Sequence, residues 1–185
     1  TATWTKVTSA PEDWSGTYLI VSEGDKLILD GSRDKLDGEG NKIDVTIADG
    51  TITGDYAKYA FTIASMEGGY SIQSASGKYI SGTANKNALN SNAAAVLNTI
   101  AMSDGNVIIT SNNTTLQYNN AATNGTRFRY YKSQNQQPIA LYALTATGGS
   151  ETETVAAPTA NYPNGSDLEI GTQIEFTCET EGATI

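Results

Sequence analysis

Apolar and polar residues alternate along most of this chain in short runs, and three of the runs share one pattern. Each run starts with glycine and has an apolar residue two positions later, isoleucine after four positions and serine after six. The three runs are Gly16–Ser22, Gly68–Ser74 and Gly105–Ser111. Because residues two apart lie on the same face of a strand, and glycine allows a tight turn before it, the pattern predicts three equivalent β-strands.

A second short strand is predicted after each of the three serines. The pairs Lys26-Leu27, Lys78-Tyr79 and Thr115-Leu116 lie four and five residues beyond them, after a short polar turn. Each unit is therefore predicted to be a β-hairpin. Three units of roughly forty residues, followed by an apolar strand at 139–144, favour a β-trefoil, in which three copies close a barrel and cover the sheet edges. A six- or seven-stranded sandwich is the alternative, and it does not require a threefold repeat.

The C-terminal part of the chain has a different composition. Residues 147–154 are small, polar and charged, which is typical of a linker. Two short alternating runs follow, at 168–170 and 173–178, and so few strands cannot bury a core by themselves. We therefore predict an all-β chain with a β-trefoil domain over residues 1–146, a linker over 147–156 and an incomplete β-sandwich domain over 157–185.

The charge of the chain disfavours two classes of partner. Its formal net charge is −9, from 20 acidic and 11 basic side chains, whereas a phosphate backbone binds clustered Lys and Arg. The one basic cluster is Arg127, Arg129 and Lys132, and strand alternation explains its interleaved aromatic residues as well as base stacking does. No apolar run approaches the roughly 20 residues of a membrane span. We expect neither nucleic-acid binding nor membrane insertion.

The residue types present also disfavour catalysis and metal binding. The chain has no histidine and one cysteine, Cys178, which excludes Ser-His-Asp and Cys-His nucleophile systems and the commonest zinc sites. A pair of carboxylates could still cleave a glycosidic bond, but no motif singles out such a pair. The acidic stretch Asp34–Asp44 lacks the glycine and glutamate of an EF-hand loop and is expected to be a solvated loop. We expect no enzyme activity, no cofactor and no bound metal.

Two family resemblances rest on these residues. The hairpin Tyr70–Ile80 resembles the first hairpin of ricin-type and fascin-like β-trefoil repeats, and Trp4–Leu144 resembles the trefoil-like modules of secreted Bacteroidetes proteins. The segment from Ala157 onward is similar to the start of chitobiase/β-hexosaminidase C-terminal domains, which are immunoglobulin-like sandwiches. The resemblance implies a secreted or outer-surface module of a larger polypeptide, with a glycan and the neighbouring domains of the same polypeptide as partners.

Candidate sugar-binding residues follow from this resemblance and from the chemistry of sugars, which requires planar polar groups and an aromatic face. Ricin-type repeats imply an Asp just after the second strand of the hairpin. Leu29-Asp30 matches this place in the first repeat, whereas the second repeat has Ser81-Gly82 and the third has Tyr118-Asn119. The candidates are Asp30, Asn41 and Trp14 in the first repeat, and Tyr118 and Asn119 in the third. The alternative is that Trp14 fills one end of the barrel and Asp30 caps a turn.

Two functional hypotheses remain at this point. The resemblance favours a non-catalytic, extracellular carbohydrate-binding module. The alternative is a structural spacer or protein-interaction module without a sugar site. The second is favoured by the absence of the Gln-x-Trp motif of ricin-type lectins, since neither Trp4 nor Trp14 has a glutamine two residues before it.

Overall fold

The computed structural model describes residues 1–123, 125–147, 159–161, 169, 171 and 176–177. The chain divides into two compact units, Thr1–Gly148 and Gly149–Ile185. Within the described residues, the regular structure is β apart from one 3₁₀ turn at Ala57–Tyr59, so the predicted all-β class is confirmed. The strands in chain order are β1 (Ala2–Lys6), β2 (Gly16–Ser22), β3 (Leu27–Leu29), β4 (Lys42–Asp44), β5 (Thr51–Gly54), β6 (Phe61–Met66), β7 (Gly69–Ser74), β8 (Tyr79–Ser81), β9 (Asn90–Asn92), β10 (Thr99–Ser103), β11 (Asn106–Ser111), β12 (Thr114–Asn119), β13 (Arg127–Tyr131), β14 (Ala140–Thr147), β15 (Thr159–Ala160) and β16 (Phe176–Thr177).

Six strands of the first unit pair in a closed ring. Antiparallel ladders join β14 to β2, β2 to β6, β6 to β7 and β10 to β11. The bridges Tyr70–Asn98 and Val107–Ile139 complete the ring between β7 and β10 and between β11 and β14. A ring of this kind leaves no free strand edge within the barrel.

Three hairpins extend from the barrel, one after each of the strands β2, β7 and β11. They are formed by β3 with β4, β8 with β9 and β12 with β13. A six-stranded barrel with three hairpins is the β-trefoil architecture predicted from the repeats. The C-terminal strand β14 pairs with β2 at the place where β6 pairs with β7 and β10 pairs with β11, so it completes the first repeat.

The three isoleucines of the repeat occupy equivalent places in one core. Ile20, Ile72 and Ile109 are fully buried and belong to the same hydrophobic cluster. Each lies opposite an apolar partner on the neighbouring barrel strand. These partners are Leu141, Ile63 and Ile100, respectively. The threefold pattern of the sequence therefore describes a threefold arrangement of the barrel core.

The sequence predicted that residues at equal distances after the three serines are equivalent. This prediction is wrong, because the three turns differ in length. Ser22 pairs with Leu27, the Ser74 N–H donates to the Lys78 carbonyl, and Ser111 pairs with Thr114. The turns are thus residues 23–26, 75–77 and 112–113. The equivalent buried residues of the hairpins are Leu29, Ile80 and Leu116, all with no exposed surface.

A second hydrophobic cluster covers the outside of the barrel beside β2 and β14. Strand β1 pairs with β14 on one side and with β5 on the other. Whereas Ile20 points into the barrel, its neighbours Leu19 and Val21 pack with Trp4 in this outer cluster. Strand β2 is therefore buried on both faces, which explains its continuous apolar sequence.

The second unit is described only in part. Strands β15 and β16 form an antiparallel pair, with Thr159 opposite Thr177. Most of the predicted sandwich segment, including Cys178, and the predicted linker beyond Thr147 lie outside the described residues. Over the described parts of both units, no helix has the length and apolar character needed to cross a bilayer.

Candidate functional site

The first-repeat residue Asp30 caps the loop that follows β3. Its Oδ1 accepts hydrogen bonds from the Ser32 backbone N–H (3.1 Å) and hydroxyl (2.6 Å), and its Oδ2 accepts one from Arg33 Nε at 3.0 Å. Burial by itself would raise the pKa of Asp30, but the bonds from Ser32 and Arg33 outweigh it and hold that pKa below its usual value. Both carboxylate oxygens are thus used inside the protein.

Asn41 and Trp14 are buried as well. The Asn41 amide nitrogen donates to the carbonyls of Leu36 (2.8 Å) and Phe128 (2.9 Å), and its oxygen accepts the Phe128 N–H at 2.9 Å. Trp14 is 5% exposed and packs in the barrel core. The structure does not bring Asp30, Asn41 and Trp14 together at an open surface.

The two third-repeat candidates lie at the end of β12 and differ from each other in setting. Tyr118 is buried against Phe128, with 4.8 Å between ring centroids, and its hydroxyl accepts a hydrogen bond from Lys42 Nζ at 3.0 Å. Asn119 accepts the Ala121 N–H at 3.0 Å and donates to the Gly125 carbonyl at 3.2 Å. Asn119 also lines a cleft on the surface.

The turn lengths change which residues of the second and third repeats correspond to Asp30. Asp30 follows Leu29 and lies opposite Asn41, whose carbonyl accepts its N–H. The corresponding pairs are Ser81 with Asn90 and Gln117 with Arg129. The residue equivalent to Asp30 in the third repeat is therefore Gln117 rather than Asn119, and in the second repeat it is Ser81 rather than Gly82.

A polar cleft of about 540 Å³ opens on the outer face of the hairpin formed by β12 and β13. Alternation along β13 produces this face, since Phe128 and Tyr130 are fully buried while Arg127, Arg129 and Tyr131 line the cleft. None of its described lining residues is acidic. The rest of the lining consists of Asn87, Asn119, Ala121, Thr123, Ser133, Asn135 and Gln136.

One carboxylate from the first repeat holds the arginines of this cleft. Asp37 Oδ1 lies 2.9 Å from both Nε and Nη2 of Arg129 and 3.8 Å from Arg127 Nη1. Its Oδ2 accepts the backbone N–H of Leu89 at 3.2 Å. Asp37 therefore links all three repeats, and the expectation of a solvated loop is wrong for its neighbour Leu36, which is fully buried.

A second side chain behind the cleft supports its wall. The Gln117 amide nitrogen donates to the Ser133 carbonyl at 2.8 Å, and its oxygen accepts the Gln136 N–H at 2.9 Å. Gln117 is 5% exposed, so these bonds are largely shielded from water. They hold the segment 133–136, which forms one side of the cleft.

Sequence reasoning identified Arg127 and Arg129 as a cluster but did not identify the cleft. Its two supporting side chains, Asp37 and Gln117, carry no signal of their own in the sequence. Asp37 is 92 residues from Arg129 along the chain, and only the packing of the hairpins brings the two together. A correct register for the third hairpin would have singled out Gln117, because it lies opposite Arg129.

Two other observations limit the chemistry available. In the described part of the chain, no group of three or more His, Cys, Asp or Glu side chains is arranged to hold a metal ion. Leu97 is the one large hydrophobic residue, among those described, whose side chain is mostly exposed. Leu97 does not line the cleft, and most of the side chains that do are polar.

Comparison with known proteins provides no family for this chain. No protein-family model matches it, and no curated protein matches it. Among solved structures, the crystal structure of the Rhizoctonia solani agglutinin is similar, with a TM-score of 0.43 and 17% sequence identity. The alignment covers 75% of this chain and 93% of the agglutinin chain. At this level of similarity, neither the fold nor the ligand of the agglutinin can be transferred to this chain.

Proposed function

We propose that this chain is a non-catalytic carbohydrate-binding module and that the sugar binds in the polar cleft on β12 and β13. The observation that carries the proposal is the lining of that cleft, which consists largely of amide, hydroxyl and guanidinium groups. Such groups are planar or small hydrogen-bonding partners of the kind that sugar hydroxyls require. Its volume of about 540 Å³ lies within the range of ligand sites in proteins.

The lining offers both donors and acceptors for hydroxyl groups. Asn87 is held through its amide oxygen, which accepts the Lys132 N–H at 3.0 Å, while its amide nitrogen bonds to no described residue. Gln136 donates from its amide nitrogen to Asn135 Oδ1 at 3.1 Å, and its amide oxygen bonds to no described residue. A sugar hydroxyl both donates and accepts, so these two side chains suit it.

The second candidate function is a structural or protein-interaction module. The internal bonding of Asp30 and Asn41 supports this alternative, because both lie where the ricin-type resemblance implies a sugar site and neither is open to a ligand. The polar cleft favours carbohydrate binding over this alternative.

The wider setting of the module is also part of the proposal. We place it in a secreted or outer-surface protein of Bacteroidetes type, in which residues 1–146 form the binding domain and 147–156 a linker. Residues 157–185 would begin a chitobiase C-terminal-like, immunoglobulin-like domain. The support for this setting is the resemblance of the hairpin Tyr70–Ile80 and of the segment from Ala157.

The experiment is a glycan array with the wild-type chain, followed by calorimetric titration of the sugar bound most tightly. Replacing both Asn87→Ala and Gln136→Ala removes two lining amides, and the expected loss of affinity is at least tenfold, since an unpaired polar group costs about 1–3 kcal/mol. The matched control is Gln134→Ala, an exposed amide that lines a separate cleft of about 240 Å³. Unchanged binding in the double variant would exclude this cleft, and no binding to any glycan would favour the spacer alternative.

A further inference from the structure

We propose that the sugar bound by this cleft is acidic, and that Arg127 and Arg129 hold its carboxylate or sulfate group. This inference rests on the proposed function and names the class of sugar. Its basis is the pair of guanidinium groups on one strand face, combined with the absence of any acidic side chain among the described lining residues.

The geometry of the pair suits an oxyanion. Arg127 and Arg129 are two residues apart on β13, so both side chains leave the same face of the strand, and their side chains are 17% and 25% exposed. A guanidinium is a rigid planar fork whose N–H groups match two oxygens of one carboxylate or sulfate. The Asp37 carboxylate offsets one of the two guanidinium charges, so one net positive charge remains at the pair, and partial burial reduces the screening of that charge by water.

The support behind the pair is already in place before any ligand binds. Asp37 contacts both arginines with a single oxygen, Oδ1, and so fixes the guanidinium of Arg129 through two donors at 2.9 Å. Asp37 itself does not line the cleft. We assign it as a positioning residue, because a guanidinium that is held in advance loses less conformational freedom on binding.

Two sources of negative charge oppose the binding of an anion at the arginine pair: the neighbouring side chain of Glu39 and the net charge of the chain. Glu39 lies beside Arg127 across Gly125, where an added Cβ would be 2.8 Å from Glu39 Cδ and 2.9 Å from Arg127 Nη2. The whole chain carries a net charge of −9, which repels long polyanions. A short acidic sugar brings only one charge to each subsite, so the local guanidinium pair decides its binding. A nucleic acid would bring one phosphate for every nucleotide, and the described residues form no extended basic surface to receive it.

The test compares four ligands of matched length by calorimetry with the full chain. They are a short α-1,4-linked galactose oligomer, the same oligomer with a single galacturonate residue, the same oligomer with a single sulfate group, and single-stranded oligothymidylate. We expect the two acidic sugars to bind at least about tenfold more tightly than the neutral sugar, as a charge-assisted bond requires. The ratio between the carboxylated and sulfated sugars identifies the anionic group.

Four variants separate the roles of charge and geometry. Arg129→Gln removes one guanidinium charge but keeps a hydrogen-bonding amide, and we expect about a tenfold loss of affinity for the acidic sugars and a clearly smaller loss for the neutral one. The matched control is Lys132→Gln, which removes the same charge from an exposed side chain that does not line the cleft. Glu39→Gln should raise the affinity for acidic sugars by about two- to threefold, because it removes a negative charge that repels the negatively charged group of the sugar. Melting curves for each variant show whether the fold is retained. If Arg129→Gln unfolds the chain, Arg129→Lys is measured in its place; it keeps the positive charge but lacks the planar guanidinium, so acidic sugars should again bind more weakly.

The outcomes distinguish this inference from the proposed function. Tight binding of the neutral sugar, unaffected by Arg129→Gln, would overturn the acidic-sugar inference and leave carbohydrate binding intact. Equal losses in Arg129→Gln and Lys132→Gln would show a general charge effect and overturn it as well. Binding of oligothymidylate in preference to every sugar would overturn both proposals.

Discussion

At the scale of single residues, Asn41 connects two parts of the chain that lie 87 residues apart in sequence. It is fully buried and makes three hydrogen bonds. Its amide oxygen accepts the Phe128 N–H, and its amide nitrogen donates to the carbonyls of Leu36 and Phe128. The sequence made Asn41 a candidate sugar-binding residue. Its actual partners are backbone groups, because a buried amide with main-chain donors and acceptors nearby is more stable when it bonds to them.

We predict that Asn41→Ala lowers the free energy of unfolding by about 2–4 kcal/mol, because it leaves backbone groups of Phe128 and Leu36 buried without partners. The measurement is urea denaturation followed by tryptophan fluorescence, since Trp14 lies in the barrel core. Asn135→Ala, at an exposed position, is the matched control and should cost less than about 0.5 kcal/mol. Similar losses in the two variants would mean that Asn41 does not link the hairpins.

At the scale of elements, the three hairpins differ most at their first turns. The third turn consists of Asn112 and Asn113, with φ angles of +49° and +58°. Two consecutive left-handed residues between paired strands form a type I′ turn, which matches the twist of the strands. Because the third turn has only two residues, Ser111 pairs with the residue three positions later, whereas Ser22 pairs with the residue five positions later. This difference in turn length shifts the register of the third hairpin relative to the first.

We predict that Asn113→Gly stabilises the chain by a few tenths to about 1 kcal/mol, because glycine is preferred at the second position of a type I′ turn. Asn113→Ala should instead cost about 1 kcal/mol, since alanine lacks the local hydrogen bonding that lets asparagine adopt a left-handed conformation. Urea denaturation of both variants measures the difference. If Asn113→Ala proved the more stable of the two, the proposed turn type would be wrong.

The elements also show which parts of the fold the sequence could predict. The strands of the runs that begin at Gly16, Gly68 and Gly105 were predictable, because alternation alone places Ile20, Ile72 and Ile109 on one face. The register beyond them was not, since each turn has its own length. The outer hydrophobic cluster was not predicted either. Trp4 contacts its partners there only because β1 pairs with β14, which is far from it in sequence.

At the scale of the whole molecule, the three repeats share a core and differ on their outer faces. Asp30, Ser81 and Gln117 occupy equivalent positions in the three repeats. The residues that lie opposite them are Asn41, Asn90 and Arg129, respectively. The Asn41 and Asn90 side chains donate to backbone carbonyls, whereas Arg129 bonds to the Asp37 side chain and lines the cleft. A search based on repeat similarity therefore finds the barrel and misses the cleft, because the residues that line the cleft depart from the pattern of the other two repeats.

The closed ring of strands also predicts where the chain can be shortened. All of its pairings lie within residues 1–147, so a chain ending at Gly148 should melt within about 3 °C of the full chain, the shift that about 1 kcal/mol produces at this size. A chain ending at Gln137 is the matched control. It lacks β14, which pairs with both β1 and β2 and contributes the fully buried Leu141 and Tyr142, and it should show no cooperative transition. Scanning calorimetry measures all three chains. Loss of cooperative melting in the chain ending at Gly148 would mean that residues 149–185 are needed to hold the barrel together.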